Sequence, residues 1–164
     1  MNLATFNALP QEAAQAAIAH CVAIPRWRQA LAAARPFAST AALLAEAERL
    51  AQGWNSDDLE QALTAHPRIG ERAGGVDKEA ALSRQEQSAM GDADAALKQA
   101  MLAGNLAYEA RFGRVFLIRA RGRSGEEMLA QLQRRLENDE QTEAREALKQ
   151  LREITLLRLK ESLT

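Results

Sequence analysis

An all-α fold is what this sequence predicts, and three observations carry the prediction. Alanine, the residue with the highest helix propensity, is the commonest in the chain. Strand material is thin, with three valines and five isoleucines among 164 residues. Prolines, glycines and short polar residues fall where helices would start and stop. The length suits one domain able to bury a real core, so residues 1–164 are read as a single compact domain of about seven to nine helices.

The elements follow in chain order. Pro10 suits the first turn of a helix running to about Val22. Pro25 opens a second, "PRWRQALAAAR", which Pro36 closes. Ser39 or Thr40 starts "AALLAEAERLAQ", and Gly53 ends it. "SDDLEQALTA" begins at Ser56 with acids in its first turn, where the helix dipole favours them. Pro67 pushes His66 out of the α region and stops that helix. "RIGERAGGVDKEAA" reads as a surface loop with a turn of helix, and Ser83 to Gln87 opens a short helix.

Asp92 starts a longer helix through Phe112, whose Leu97, Met101, Tyr108 and Phe112 form one apolar stripe, and Gly113 ends it. "RVFLIRA" is the only strand-like stretch; one strand cannot make a sheet, so it is expected as an extended connector or the start of a helical turn. Ser124 caps "SGEEMLAQLQRRLEN". Thr142 lies near the start of a long last helix, apolar at Leu148, Leu151, Thr155 and Leu159.

Composition excludes several classes of function. A net charge of -1 gives no attraction to nucleic acid or to anionic membranes, so neither is expected as a partner. No apolar run approaches the roughly 20 residues that span a bilayer. "MNLATFNALPQEAAQ" has no basic segment leading into an apolar core, so no secretory signal is read there. Cys21 is the single cysteine, which rules out an internal disulfide and a cysteine-based zinc cluster. The ending Ser162-Leu163-Thr164 is not the peroxisomal type of address. A cytoplasmic monomer or homo-oligomer is expected.

His66, in "AHPRIG", is one of two histidines. It can exchange a proton near neutral pH, and its mounting past a helix end, ahead of a rigid proline, suits a catalytic group. A histidine there can equally cap the last carbonyls of its helix. His20, in "AAIAHCV", reads as structural, and the two histidines have no metal-binding spacing, so no metal is expected. In "SRQEQ", Ser83 and Glu86 fit a capping box. The same helix start would offer amides to carbonyl oxygens or anions, with Glu86 and Gln87 adding an acid-base group and an amide. Arg119, Arg121 and Arg123 alternate in "FLIRARGRSG". Extended backbone would put them on one face, and one could clamp a carboxylate; the competing reading is a solvated basic loop. Asn105 interrupts an apolar stripe and Arg158 lies seven residues after Leu151, so both are expected to need buried partners.

In this order, "AHPRIGER", "LSRQEQ", "NLAYEARFGRVFLIRARGRS", "RRLENDEQTE" and "ALKQLREITLLRLK" resemble the 2-oxo-4-hydroxy-4-carboxy-5-ureidoimidazoline (OHCU) decarboxylase family. "PRW" and "RPF" extend the likeness towards the N-terminus, so that it covers nearly the whole chain. The resemblance implies an all-helical, cofactor-free homodimeric enzyme that yields S-allantoin and carbon dioxide in urate degradation. It implies His66 as the catalytic histidine and Pro67 beside the substrate, and places Glu86 in the ring-holding motif, where it is expected as the partner of His66. Ser83, Arg84, Gln85 and Gln87 belong to the motif that holds the ring. Leu117, Ile118, Arg119, Ala120 and Arg121 form the segment whose backbone and arginine contact the substrate. The rival readings are a helical protein-interaction module, in which "AHPRIG" and "SRQEQ" are only caps, and a cofactor-free hydrolase or isomerase of another ureido compound.

Overall fold

Eight helices and no strand make up the described part of the chain, residues 1–64 and 95–163 of a computed structural model. They are α1 (Leu3–Ala8), α2 (Gln11–Ile18), α3 (Pro25–Ala33), α4 (Thr40–Ala51), α5 (Ser56–Leu63), α6 (Ala95–Phe112), α7 (Gly125–Arg135) and α8 (Glu140–Ser162). The all-α expectation is met. The chain divides into two compact units, Met1–Ala62 with Arg152–Thr164, and Leu63–Leu151. Among the described residues no helix is long and apolar enough to cross a membrane.

In the first unit, α2 packs on α3 and α3 on α4. The start signals behave as expected at Pro25, which holds the first turn of α3, and at Ser39, whose side chain accepts from the Ala42 amide. Two details differ. The start signals omit α1, which Asn2 caps by accepting from the Thr5 amide at 2.8 Å. For α5 the cap is Asn55, one residue before Ser56: Asn55 accepts from the Asp58 amide at 3.1 Å and Asp58 accepts from the Asn55 amide at 2.9 Å, a reciprocal box. Asp58 also takes an ion pair from Arg26. Helix α2 ends at Ile18 rather than near Val22, because the Cys21 amide turns back to the Ile18 carbonyl at 3.1 Å.

The core of this unit is built around Phe6, Ile18, Trp27, Leu31 and Leu43, all buried. Trp27 donates its ring N–H to the Ala47 carbonyl at 3.2 Å and meets Trp54 edge-on at 6.3 Å. Arg35, ahead of a cis bond to Pro36, donates to the Phe6 carbonyl at 2.8 Å and the Leu9 carbonyl at 2.5 Å, so the end of α1 is tied to the α3–α4 loop. His20 is structural, as expected: it is buried, and its Nε2 lies 2.6 Å from the Ser162 hydroxyl, which donates to the Arg158 carbonyl at 2.9 Å. Arg158 is also buried and donates to the His20 carbonyl at 3.3 Å, meeting the expectation of an internal partner.

In the second unit the expected stripe of α6 is present: Met101, Tyr108 and Phe112 are buried and Leu97 packs partly buried against them. The chain then turns at Gly113 (φ +72°), whose amide returns to the Glu109 carbonyl at 2.9 Å. Gly104 lets α6 approach α7 closely, since a Cβ there would sit 2.5 Å from a methyl of Leu132. Ser124 caps α7 as expected, and Asp139 caps α8 by accepting from the Thr142 amide at 2.7 Å. Those bonds with Thr142 hold the Asp139 carboxyl below its ordinary range. On the part of α8 in this unit Leu151 is buried and Leu148 only partly; Thr155 and Leu159, on the part that belongs to the first unit, are buried as well.

Candidate functional site

The expected site residues fall into two groups. His66, Pro67, Ser83, Arg84, Gln85, Glu86 and Gln87 lie outside the described residues. Leu117, Ile118, Arg119, Ala120 and Arg121 are described, and they form the connector between α6 and α7, which is neither helix nor strand.

Apolar burial seats this connector. Phe116, Ile118 and Ala120 join Met101, Tyr108, Phe112, Met128 and Leu132 in one cluster. Tyr108 stacks at 4.7 Å on Phe112 and at 5.3 Å on Phe116, contacts worth about 0.5–1.5 kcal/mol each beyond the area they bury. Polar contacts then fix the backbone. The Leu117 carbonyl accepts from Arg135 Nη1 at 2.7 Å, and the Arg119 amide donates to Gln150 Oε1 at 2.8 Å.

The three arginines do not alternate along one extended face. A turn at 120–123, closed by the Arg123 amide on the Ala120 carbonyl at 3.1 Å and using Gly122 at φ +81°, interrupts the run. Arg123 Nε donates to the Arg119 carbonyl at 2.9 Å, and Arg119 Nη1 donates to the Arg121 carbonyl. Two of the guanidinium groups therefore stabilise the loop itself. The Arg121 residue is exposed.

Beneath the connector sits a buried ionic cluster that the spacing of the motifs did not single out. Arg135 (2 % exposed) meets Glu143 (0 %) side-on, with Nε at 3.0 Å from both carboxylate oxygens and Nη2 at 2.5 Å. Tyr108 donates its hydroxyl to the same carboxylate, and Asn138 Nδ2 donates at 3.2 Å. Phe116 lies under the guanidinium, 4.5 Å from ring centre to Cζ. Burial, then the bond to Glu143, pushes the Tyr108 phenol far above its ordinary value. A signal was present in the sequence. Arg135 follows Leu132 by three and Glu143 precedes Ala147 and Leu151 at steps of four, so each charge lies on a buried stripe.

Further polar contacts border this cluster, some of them buried, as at the Arg114 side chain, which is 8 % exposed. Arg134 pairs with Glu146 at 2.6 Å, and that hydrogen bond holds the Glu146 carboxyl below its ordinary range. Arg114 donates to Glu140 at 2.8 Å, and Arg111 to the Asn138 carbonyl at 2.7 Å. The result is a connector with a fixed backbone, a buried cation behind it and an exposed arginine at its turn. Such a segment can offer backbone carbonyls and amides to a small polar ligand.

Known proteins match this chain along most of its length. The family model described as OHCU decarboxylase matches residues 7–160. The 2-oxo-4-hydroxy-4-carboxy-5-ureidoimidazoline decarboxylase of Haloferax volcanii is 29% identical over 127 residues, which are 77% of this chain and 74% of that protein. A crystal structure of OHCU decarboxylase in the presence of (S)-allantoin superposes with a TM-score of 0.74 at 26% identity, covering 87% of this chain and 94% of that one. A crystal structure of (S)-allantoin synthase shares the fold at a TM-score of 0.73 and 17% identity; it covers 99% of this chain, which spans 54% of that one. The chain belongs to the OHCU decarboxylase family and is an enzyme of the carboxy-lyase class with a decarboxylase role in urate degradation.

Proposed function

We propose that this enzyme converts 2-oxo-4-hydroxy-4-carboxy-5-ureidoimidazoline to S-allantoin and carbon dioxide without a cofactor. The observation that carries the reading is the family match across residues 7–160. The bond from the ring carbon to the carboxylate breaks, and its electron pair moves into the ring as the adjacent C=N pair shifts onto nitrogen, which takes up a proton. The resulting enol ketonises: its hydroxyl proton leaves, and one proton arrives on the ureido-bearing carbon. The ring thus serves as its own electron sink. The protein's task is orientation, charge stabilisation and delivery of that proton to one face.

In this reading His66 handles the hydroxyl and the proton transfers, with Glu86 as its partner. Pro67 lies beside the substrate, and Ser83, Arg84, Gln85 and Gln87 hold the ring and ureido carbonyls. Leu117, Ile118, Arg119 and Ala120 contribute backbone, and Arg121 opposes negative charge. The buried anchoring of the connector at Leu117 and Arg119 supports its part in this scheme. The same reading takes residues 1–164 as one functional domain, working as a cytoplasmic homodimer, with neither nucleic acid nor membrane as partner.

The test uses substrate generated freshly from urate, with circular dichroism following optically active allantoin. Wild-type protein should accelerate decay and give one enantiomer. His66→Asn and His66→Ala should each lower kcat by about 10²-fold or more, the scale of general acid–base catalysis. Full stereospecific rate enhancement in both variants would rule out the role given to His66.

A further inference from the structure

We propose that Arg135 and Gln150 are positioning residues for the reaction, acting through the α6–α7 connector. The inference rests on the reading that residues 117–121 contact substrate. Arg135 cannot turn freely: Glu143 grips it side-on, Asn138 and Tyr108 hold that carboxylate, and Phe116 closes one face. Its remaining Nη1 is thereby aimed at one atom, the Leu117 carbonyl oxygen, at 2.7 Å. Two residues along, Gln150 of α8 accepts from the Arg119 amide at 2.8 Å.

The two anchors bracket Ile118 and come from different helices, α7 and α8. Apolar packing of Phe116, Ile118 and Ala120 sets the depth of the connector but not its register, because packing is non-directional. Directional bonds to a carbonyl and an amide two residues apart do fix register. A shift of about 1 Å in a substrate-contacting segment is enough to cost on the order of 10²-fold in rate. Neither residue touches substrate in this scheme; each acts by holding the backbone that does.

The experiment compares full-length wild type with Gln150→Leu, Gln150→Glu and Arg135→Lys, and with Arg134→Ala as control. It measures kcat and KM on freshly generated substrate, and amide hydrogen exchange at 117–121. Gln150→Leu removes the acceptor; exchange at Arg119 should rise at least about tenfold and KM about tenfold, with a smaller fall in kcat. Gln150→Glu restores an acceptor and should return both towards wild type. Arg135→Lys keeps a cation near Glu143 but has no planar fork to reach the carboxylate and the carbonyl together, so KM should rise here too. Arg134→Ala removes the pair to Glu146 and a bond to Gln131, neither of them made to the connector, and should leave kinetics unchanged.

A purely structural role would lower kcat through loss of folded enzyme and leave KM fixed, which overturns the proposal. So would unchanged exchange at Arg119 in Gln150→Leu, or faster exchange with unchanged KM in every variant. If Arg135→Lys fails to fold, the Gln150 pair decides alone. Wild-type protein that fails to accelerate the reaction overturns the underlying reading instead, and that outcome is visible before any variant is made.

Discussion

Replacing Arg135 by methionine should be among the most damaging single changes in the second unit. The side chain is 2 % exposed and its partner Glu143 is 0 % exposed, so water cannot screen what is left behind. Glu143 would keep only Tyr108 and Asn138 as donors. Removing one member of a buried pair costs about 3–5 kcal/mol. The Leu117 carbonyl would also lose its donor at 2.7 Å, worth about 1–3 kcal/mol when the group stays buried. The two losses share one side chain and overlap, so the expected total is about 4–6 kcal/mol. That is a large part of the roughly 5–15 kcal/mol that folds a typical domain. Urea unfolding followed by far-ultraviolet circular dichroism, extrapolated linearly to water, measures it. The double variant Arg135→Met/Glu143→Met should recover more than half of the loss, because no buried charge is then unpaired. A single-variant cost below about 1 kcal/mol, or a double variant no more stable than the single, would refute the reasoning.

Other expectations follow from the same geometry. Tyr108 is the only tyrosine, so its titration can be read without overlap. The folded phenol is raised, so the folded state retains a proton that the unfolded state releases above about pH 10; that stabilisation is complete below this value and declines as pH rises further. Tyrosinate absorbance should therefore appear together with unfolding, and a tyrosinate signal near pH 10 with native circular dichroism would contradict it. Glu146 is lowered in the folded state, so its contribution is present above the ordinary glutamate range and lost as pH falls through the folded value. Glu146→Gln should flatten the acid limb of the stability profile, and an unchanged limb would count against the Arg134 pairing. Gly104→Ala gains about 1 kcal/mol of helix propensity but sets a Cβ 2.5 Å from buried Leu132, where overpacking costs about 1–3 kcal/mol. The midpoint of thermal unfolding should fall, and a rise would show that Leu132 moves aside at little cost.

Much of the fold was legible because its signals are local. Ser124 caps α7 as expected, Ser39 is the one of the two candidates Ser39 and Thr40 that caps α4, and Pro25 opens α3, since a cap depends on three or four consecutive residues. Boundaries moved where local options compete. Asn55 and Ser56 are both good caps, and only the reciprocal bond with Asp58 chose between them. The α2 end near Ile18 and the helix at Leu3–Ala8 were missed for a related reason: short helices draw their stability from packing more than from propensity.

What the sequence by itself determined is the helical class, most of the helix starts, the buried stripe of α6 and, through its ordered motifs, the family. Those depend on spacing along the chain or on matching residues in order. Tertiary structure decided which charges pair. Arg135 and Glu143 are eight residues apart on different helices, Arg119 reaches Gln150 across 31, and Tyr108 reaches Glu143 across 35. It also turned the alternating arginines of 119–123 into a loop that binds itself, because Gly122 takes a left-handed conformation and folds the run back. Periodicity fixes which residues share a face; which faces meet is set only when the helices close around a common core.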